Sequence, residues 1–193
     1  RVHGGRGFFQ RREIKDLLAL LHAAEDPDDS QSLLRCLNLP AFAVSNDGRL
    51  RLSRAAHEHD VPLREVITSG AAGLDGDDGA SAARLVAAII ELHAAVARED
   101  VRDLFYAALE MSDFLGMLDG AQTLEAEQIG ANLNKFGELL EAFADWSDDR
   151  SLSVALRYLE ILRNSHSADE MAAVETRTHG VNLVTAHSAK GLE

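Results

Sequence analysis

Thr185, His187, Ser188, Lys190, Gly191 and Glu193 place hydroxyl, imidazole, ammonium and carboxylate groups within nine residues of one another. They follow Val181, Leu183 and Val184, a short apolar run of the kind that forms a buried strand. Polar groups gathered where a strand ends typically face a ligand. His187 can donate to a phosphate or stack against a base, its alternative being a satisfied histidine in a packed turn. Lys190 can contact phosphate or solvate the start of a helix, and Gly191 gives the backbone freedom at the turn.

A second cluster stands at the other end: Gly4-Gly5-Arg6-Gly7-Phe8-Phe9-Gln10-Arg11-Arg12-Glu13-Ile14-Lys15-Asp16. Gly4 and Gly5 allow close approach of backbone to a ligand. Phe8 and Phe9 begin a helix, where they serve as core residues or as a stacking surface for a base. Glu13, Lys15 and Asp16 read as an ion-paired helix start, not as a catalytic set.

Both clusters resemble known motifs. Thr185-Ala-His-Ser-Ala-Lys-Gly-Leu-Glu193 closely resembles motif V of the UvrD/Rep/PcrA and RecB/AddA families, the superfamily 1 ATP-dependent DNA helicases. The N-terminal cluster is similar to the segment that follows motif IV in the same proteins, and the two occur in the family's order. The resemblance implies that Glu193 accepts a hydrogen bond from the nucleotide ribose, with Gly191 beside it. It implies further that Thr185, His187, Ser188 and Lys190 lie along the DNA path, with Gly5, Arg6 and Phe9 as DNA contacts at the other end. Family members often carry a basic residue before the aromatic pair; here that position is Gly7, and Arg6 is its substitute. Asn132-Leu133-x-Lys135-Phe136-x-Glu138-Leu139 also resembles a helix of these helicases. UvrD-type proteins follow Asn-x-Pro with an Arg-Gly-Ile-Gly turn that holds duplex DNA. Here Asn38-Leu39-Pro40 runs into Ala41-Phe42-Ala43-Val44-Ser45, which looks more like the RecB/AddA branch.

No Gly-x-x-x-x-Gly-Lys-Ser/Thr sequence occurs in these 193 residues, so the phosphate cradle of a motor ATPase is missing. ATP and magnesium are therefore expected in a parent helicase and not on this chain alone, which should not hydrolyse ATP. The lone Cys36 excludes a disulfide framework and reads as a buried thiol. Asp75-Gly76-Asp77-Asp78-Gly79 has Val86 where a calcium loop would need glutamate, and the histidines lack zinc-ligand spacing, so no metal site is expected.

A net charge of -13 argues against a general nucleic-acid footprint. The distribution runs the other way at the start: Arg1, Arg6, Arg11, Arg12 and Lys15 face only Glu13 and Asp16 in the first sixteen residues. Only Lys15, Lys135 and Lys190 are lysines, and this arginine usage, with abundant alanine and aspartate, is the pattern of a GC-rich genome. No apolar run of eighteen residues and no signal peptide is evident, so a cytoplasmic location and no membrane partner are expected.

The segments between the clusters are helical by pattern. Glu13 to Ala24 puts Ile14, Leu17, Leu18, Leu20 and Leu21 on one broad face and stops at Asp26-Pro27-Asp28-Asp29. Ser30 is the expected N-cap of a helix through Leu37. Ser45 to Gly48 is a turn before a helix to about Glu58, and Pro62 opens the next. Residues 69–79 read as a glycine-rich, acidic surface loop. Ser81 to Arg98, Val101 to Glu110, Asp113 to Leu118, Ala121 to Trp146 and Leu152 to Leu162 complete the helices, with Ile129, Leu133, Phe136, Leu140 and Phe143 at core spacing. Residues 165–178 lack periodicity.

The expected fold is thus mainly α: a helical 2B-type insertion domain, with two short strand stubs of a RecA-like α/β domain at the termini. The divisions are 1–16 for the first stub, leading into the first helix, 17–164 for the helical subdomain, 165–179 for a linker and 180–193 for the motif V stub. The leading functional expectation is a part of a 3′ to 5′ DNA helicase acting in repair or recombination. Its partners would be single-stranded and duplex DNA, the remaining helicase domains and further proteins. The competing class is a stand-alone helical protein-interaction module without DNA binding.

Overall fold

The computed structural model describes residues 7–119 and 123–164. Nine α-helices account for most of them: α1 (Arg12–Glu25), α2 (Ser30–Cys36), α3 (Asn46–His59), α4 (Leu63–Ser69), α5 (Gly76–Val96), α6 (Val101–Met111), α7 (Phe114–Leu118), α8 (Leu124–Trp146) and α9 (Leu152–Asn164). Two single 3-10 turns, Phe8–Gln10 and Pro40–Phe42, stand before α1 and α3. Among the described residues there is no strand; the expected strands at Arg1 to His3 and Val181 to Val184 lie outside them.

The hub is α1, which packs against α2, α5, α6, α8 and α9. Ile14, Leu17, Leu20, Leu21, Ala23 and Ala24 are wholly buried, and even Glu13 and Asp16 are covered. A helix apolar around most of its circumference is stable only when surrounded. It runs unbroken through residues 16 and 17. The core continues through Leu85 and Ile89 of α5, Leu104 of α6, Phe136, Leu140 and Phe143 of α8 and Leu152 of α9.

Side-chain caps fix where the helices start. Asp29, not Ser30, caps α2: its carboxylate accepts from the backbone N–H of Gln31 and Ser32, each at 3.1 Å. Asp, one residue earlier, reaches two orphan amides and also takes the Ser32 hydroxyl. Ser30 Oγ instead accepts from Leu63 N at 2.8 Å, tying the starts of α2 and α4 together. Ser45 caps α3 through Gly48 N, and Asp100 caps α6. Thr123 caps α8, whose first residue, Leu124, stands three positions after the expected start at Ala121.

The expected loop at 69–79 is only half loop. α5 begins at Gly76, and Asp77 and Asp78 occupy its first turn, where acidic side chains favour the helix dipole. Asp78 also accepts from Ser45 N at 2.8 Å and from Ser45 Oγ at 2.5 Å, which pins α5 to the start of α3. By length and composition α5 is apolar enough to cross a bilayer, which the count of apolar runs had not indicated. Its Leu85, Ile89 and Leu92 face the core of the protein.

Candidate functional site

The N-terminal motif folds around α1. Phe8 and Phe9 meet edge to face, with ring centroids 5.2 Å apart, and are 0% and 3% exposed. Phe9 therefore presents no free ring face for a base in this structure. Asp16 ion-pairs with Arg35 of α2 at 2.6 Å and more loosely with Arg12 at 3.7 Å. Burial pushes its carboxyl above the usual carboxylate range, against the pull of Arg35 and Arg12. Glu13 accepts from Asn132 Nδ2 of α8 at 2.5 Å, and Asn132 Oδ1 accepts from Gln128 at 3.3 Å. Acid, amide and guanidinium groups thus knit α1 to α2 and α8 from within.

Beside this network lies a half-open cavity of about 730 Å³. Arg11, Glu13, Asp16 and Gln128 supply polar wall; Phe114 and Leu124 are among its apolar side chains. Arg11 Nε is buried there without a hydrogen-bond partner. The sequence reads Glu13, Lys15 and Asp16 as an ion-paired helix start; Asp16 is paired with Arg35 and Arg12, whereas Glu13 accepts from a neutral amide. Arg35 and Asn132 were not singled out as their partners, because those contacts cross from other helices.

The turn after Asn38-Leu39-Pro40 is turned inward. Phe42 N donates to Leu39 O, Val44 N to Leu37 O and Ser45 N to Asp78, while Phe42 and Val44 are 6% and 4% exposed. The amides at these three positions are committed internally. Asn38 bonds to the carbonyl of Arg35 and, through Oδ1, to Arg49.

Cys36 is buried among leucines, and burial pushes its thiol far above the ordinary range. A thiol so placed is inert as a nucleophile. Among the described residues no group of acidic, histidine or cysteine side chains could hold a metal ion. Gly5, Arg6, Thr185, His187, Ser188, Lys190, Gly191 and Glu193 lie outside the described residues.

The family described as UvrD-like helicase C-terminal domain matches residues 1–76, a stretch that holds the N-terminal motif, the inward turn and α1 to α4. The chain is similar to the C-terminal part of UvrD/PcrA-like superfamily 1 helicases. An ATP-dependent DNA helicase PcrA of Bacillus subtilis is 24% identical over 196 residues, covering 100% of this chain. ATP-dependent DNA helicase UvrD1 of Mycobacterium tuberculosis is 26% identical over 213 residues, again across 100% of the chain. A PcrA of Staphylococcus aureus is 26% identical over 198 residues and 98% of the chain. The chain spans about a quarter of the length of these relatives, 26% of the first and 27% of the second. These UvrD/PcrA-like matches run through α5 to α9 and the terminal motif as well as the segment the family covers.

Proposed function

We propose that this chain supplies the helical 2B-type part of an ATP-dependent DNA helicase, with the motif V segment, and that the helicase unwinds and translocates on DNA with 3′ to 5′ polarity in repair or recombination. The observation that carries the reading is similarity to PcrA and UvrD1 along the whole chain, with both terminal motifs in order. On this reading Thr185, His187, Ser188 and Lys190, with Gly5 and Arg6, touch the DNA strand, and Gly191 and Glu193 the nucleotide. One short segment touching both ligands couples nucleotide closure to strand movement. The helical body regulates unwinding by moving against the motor and by contacting DNA or partner proteins. ATP and magnesium belong to the whole helicase, a cytoplasmic enzyme.

With no P-loop in these 193 residues, the chain alone should show no DNA-stimulated ATP hydrolysis. Robust turnover with single-stranded DNA would place a motor in it and overturn the proposal. Joined to the motor domains of a PcrA, the chain should support unwinding. Loss of unwinding but not of ATPase on Thr185→Ala and His187→Ala would separate the DNA contacts from the nucleotide contact.

A second reading, a helical interaction module without DNA binding, is favoured by the net charge of -13 and by the inward amides of the 39–45 turn. Fluorescence anisotropy with forked DNA decides between the two. Salt-sensitive binding supports the helicase part; no binding at low salt supports the module.

A further inference from the structure

Independently of the helicase reading, α6, α7 and α8 enclose a groove that the site above does not use. It holds about 200 Å³ over a floor that includes Phe105, Leu109 and Leu133. That is below the range of small-molecule pockets and suits a side chain better than a cofactor. Gly130 and Gly137, two turns apart, put the bare backbone of α8 along it. A Cβ at Gly137 would press on Phe105 Cε1 at 3.0 Å, whereas at Gly130 the nearest atom, Leu118 Cδ1, is 3.9 Å away. The groove is therefore sealed at one glycine and open at the other.

Its rim is both apolar and acidic. Tyr106 and Leu115 are 53% and 56% exposed, more than a packed core position would be. Glu138 and Glu141 line the same groove, and no basic side chain does among the described residues. Glu141 accepts from the Tyr106 hydroxyl at 2.9 Å; Glu138 takes Asn134 at 3.0 Å and Lys135 at 3.1 Å.

We propose that this groove docks a segment of a partner protein that carries an apolar side chain flanked by lysine or arginine. The hollow takes the apolar side chain, and the rim carboxylates meet the cations, a helix-in-groove mode with charge selecting the partner. Nucleic acid is disfavoured because these carboxylates repel phosphate. A second copy is disfavoured because the chain carries -13 and would bring an acidic rim against an acidic body.

The test uses the whole chain and two synthetic helical peptides of about fourteen residues, one of leucine and lysine in an i, i+3, i+4 pattern, the other with glutamate replacing lysine. The leucine–lysine peptide should bind and shift amide signals of α6, α7 and α8. Glu138→Lys with Glu141→Lys, and separately the exposed Leu115→Glu, should each weaken it about tenfold or more, with unchanged melting by circular dichroism as the folding control. The proposal is overturned by absent binding, by equal binding of the glutamate peptide, or by variants that fold and bind as before. It is overturned too if oligothymidylate, or self-association in sedimentation, occupies the groove.

Discussion

Asp16 has a side chain only 4% exposed and lies 2.6 Å from the Arg35 guanidinium. Burial nevertheless leaves its carboxyl with a raised affinity for the proton. The folded chain then holds that proton more tightly than the unfolded chain, whose aspartate titrates at about 3.9. Its contribution to stability is fully present below that value and is lost as pH rises through the higher folded one. Urea unfolding of wild type and Asp16→Asn should therefore show a stability difference that moves in favour of wild type as pH falls from 7 toward 4. A difference that stayed flat or moved the other way would refute the sign. Arg35→Met strands the carboxylate and should cost about 1–3 kcal/mol more at pH 7 than Asp16→Asn. Asn132 makes a similar case: it is wholly buried and donates to Glu13. Asn132→Ala should cost about 1–3 kcal/mol in the same assay, because Glu13 keeps its burial and loses its donor. Glu13→Gln, which retains an acceptor, should cost less; equal losses would mean that the pair does not act as a pair. Spacing in the sequence marks Glu13 and Asp16 as members of a polar helix start. Their partners come from α8 and α2, 119 residues away in one case, and no local pattern reports such a contact.

At the scale of the elements, periodicity with turn and proline signals located the α-helices among the described residues, and the misses fell at the ends: α3 begins at Asn46, inside the expected turn. α1 was legible because leucine and isoleucine recur at three- and four-residue steps and Pro27 follows. The start of α2 moved by one residue because Asp29 and Ser30 are both capping types and only geometry shows which carboxylate or hydroxyl reaches the free amides. The start of α5 was hidden because glycine and aspartate favour turns locally, while Ser45, 33 residues earlier, supplies the bonds that hold Asp78 in a helix. The candidate site was less legible still: the sequence offered the core and a stacking surface as alternatives for Phe8 and Phe9, and only the packing shows both rings buried. α8 offers a test of packing against propensity. Gly130→Ala should raise stability by about 0.5–1 kcal/mol, since alanine loses less backbone entropy and its methyl fits at 3.9 Å. At Gly137 the same change presses on Phe105 at 3.0 Å, and overpacking of roughly 1–3 kcal/mol should cancel or reverse that gain. Thermal melts of the two variants that shifted by the same amount would show that Phe105 yields freely.

The molecule as a whole carries -13 on 193 residues, with an isoelectric point near 5.0. Like charge spread over a compact body opposes folding, since the unfolded chain holds the same charges farther apart. Short-range ion pairs such as Arg64–Asp28 at 2.8 Å and Arg102–Asp100 at 2.6 Å offset part of this locally. They are partly exposed and each is worth little. The unpaired acidic excess remains, and salt acts on it by shortening the Debye length from about 10 Å at 0.1 M to about 3 Å at 1 M. Raising sodium chloride at pH 7 should therefore raise the urea midpoint of unfolding. Near pH 5 the net charge approaches zero, so the same salt step should gain less. The comparison separates screening of net charge from salting-out, which strengthens apolar burial at either pH. Equal gains at pH 5 and pH 7 would assign the effect to burial, and a loss at pH 7 would mean that the screened ion pairs outweigh the repulsion. The same screening bears on partners: salt that relieves the acidic body also weakens any contact with phosphate, so DNA binding by this chain should fall over the range in which its stability rises.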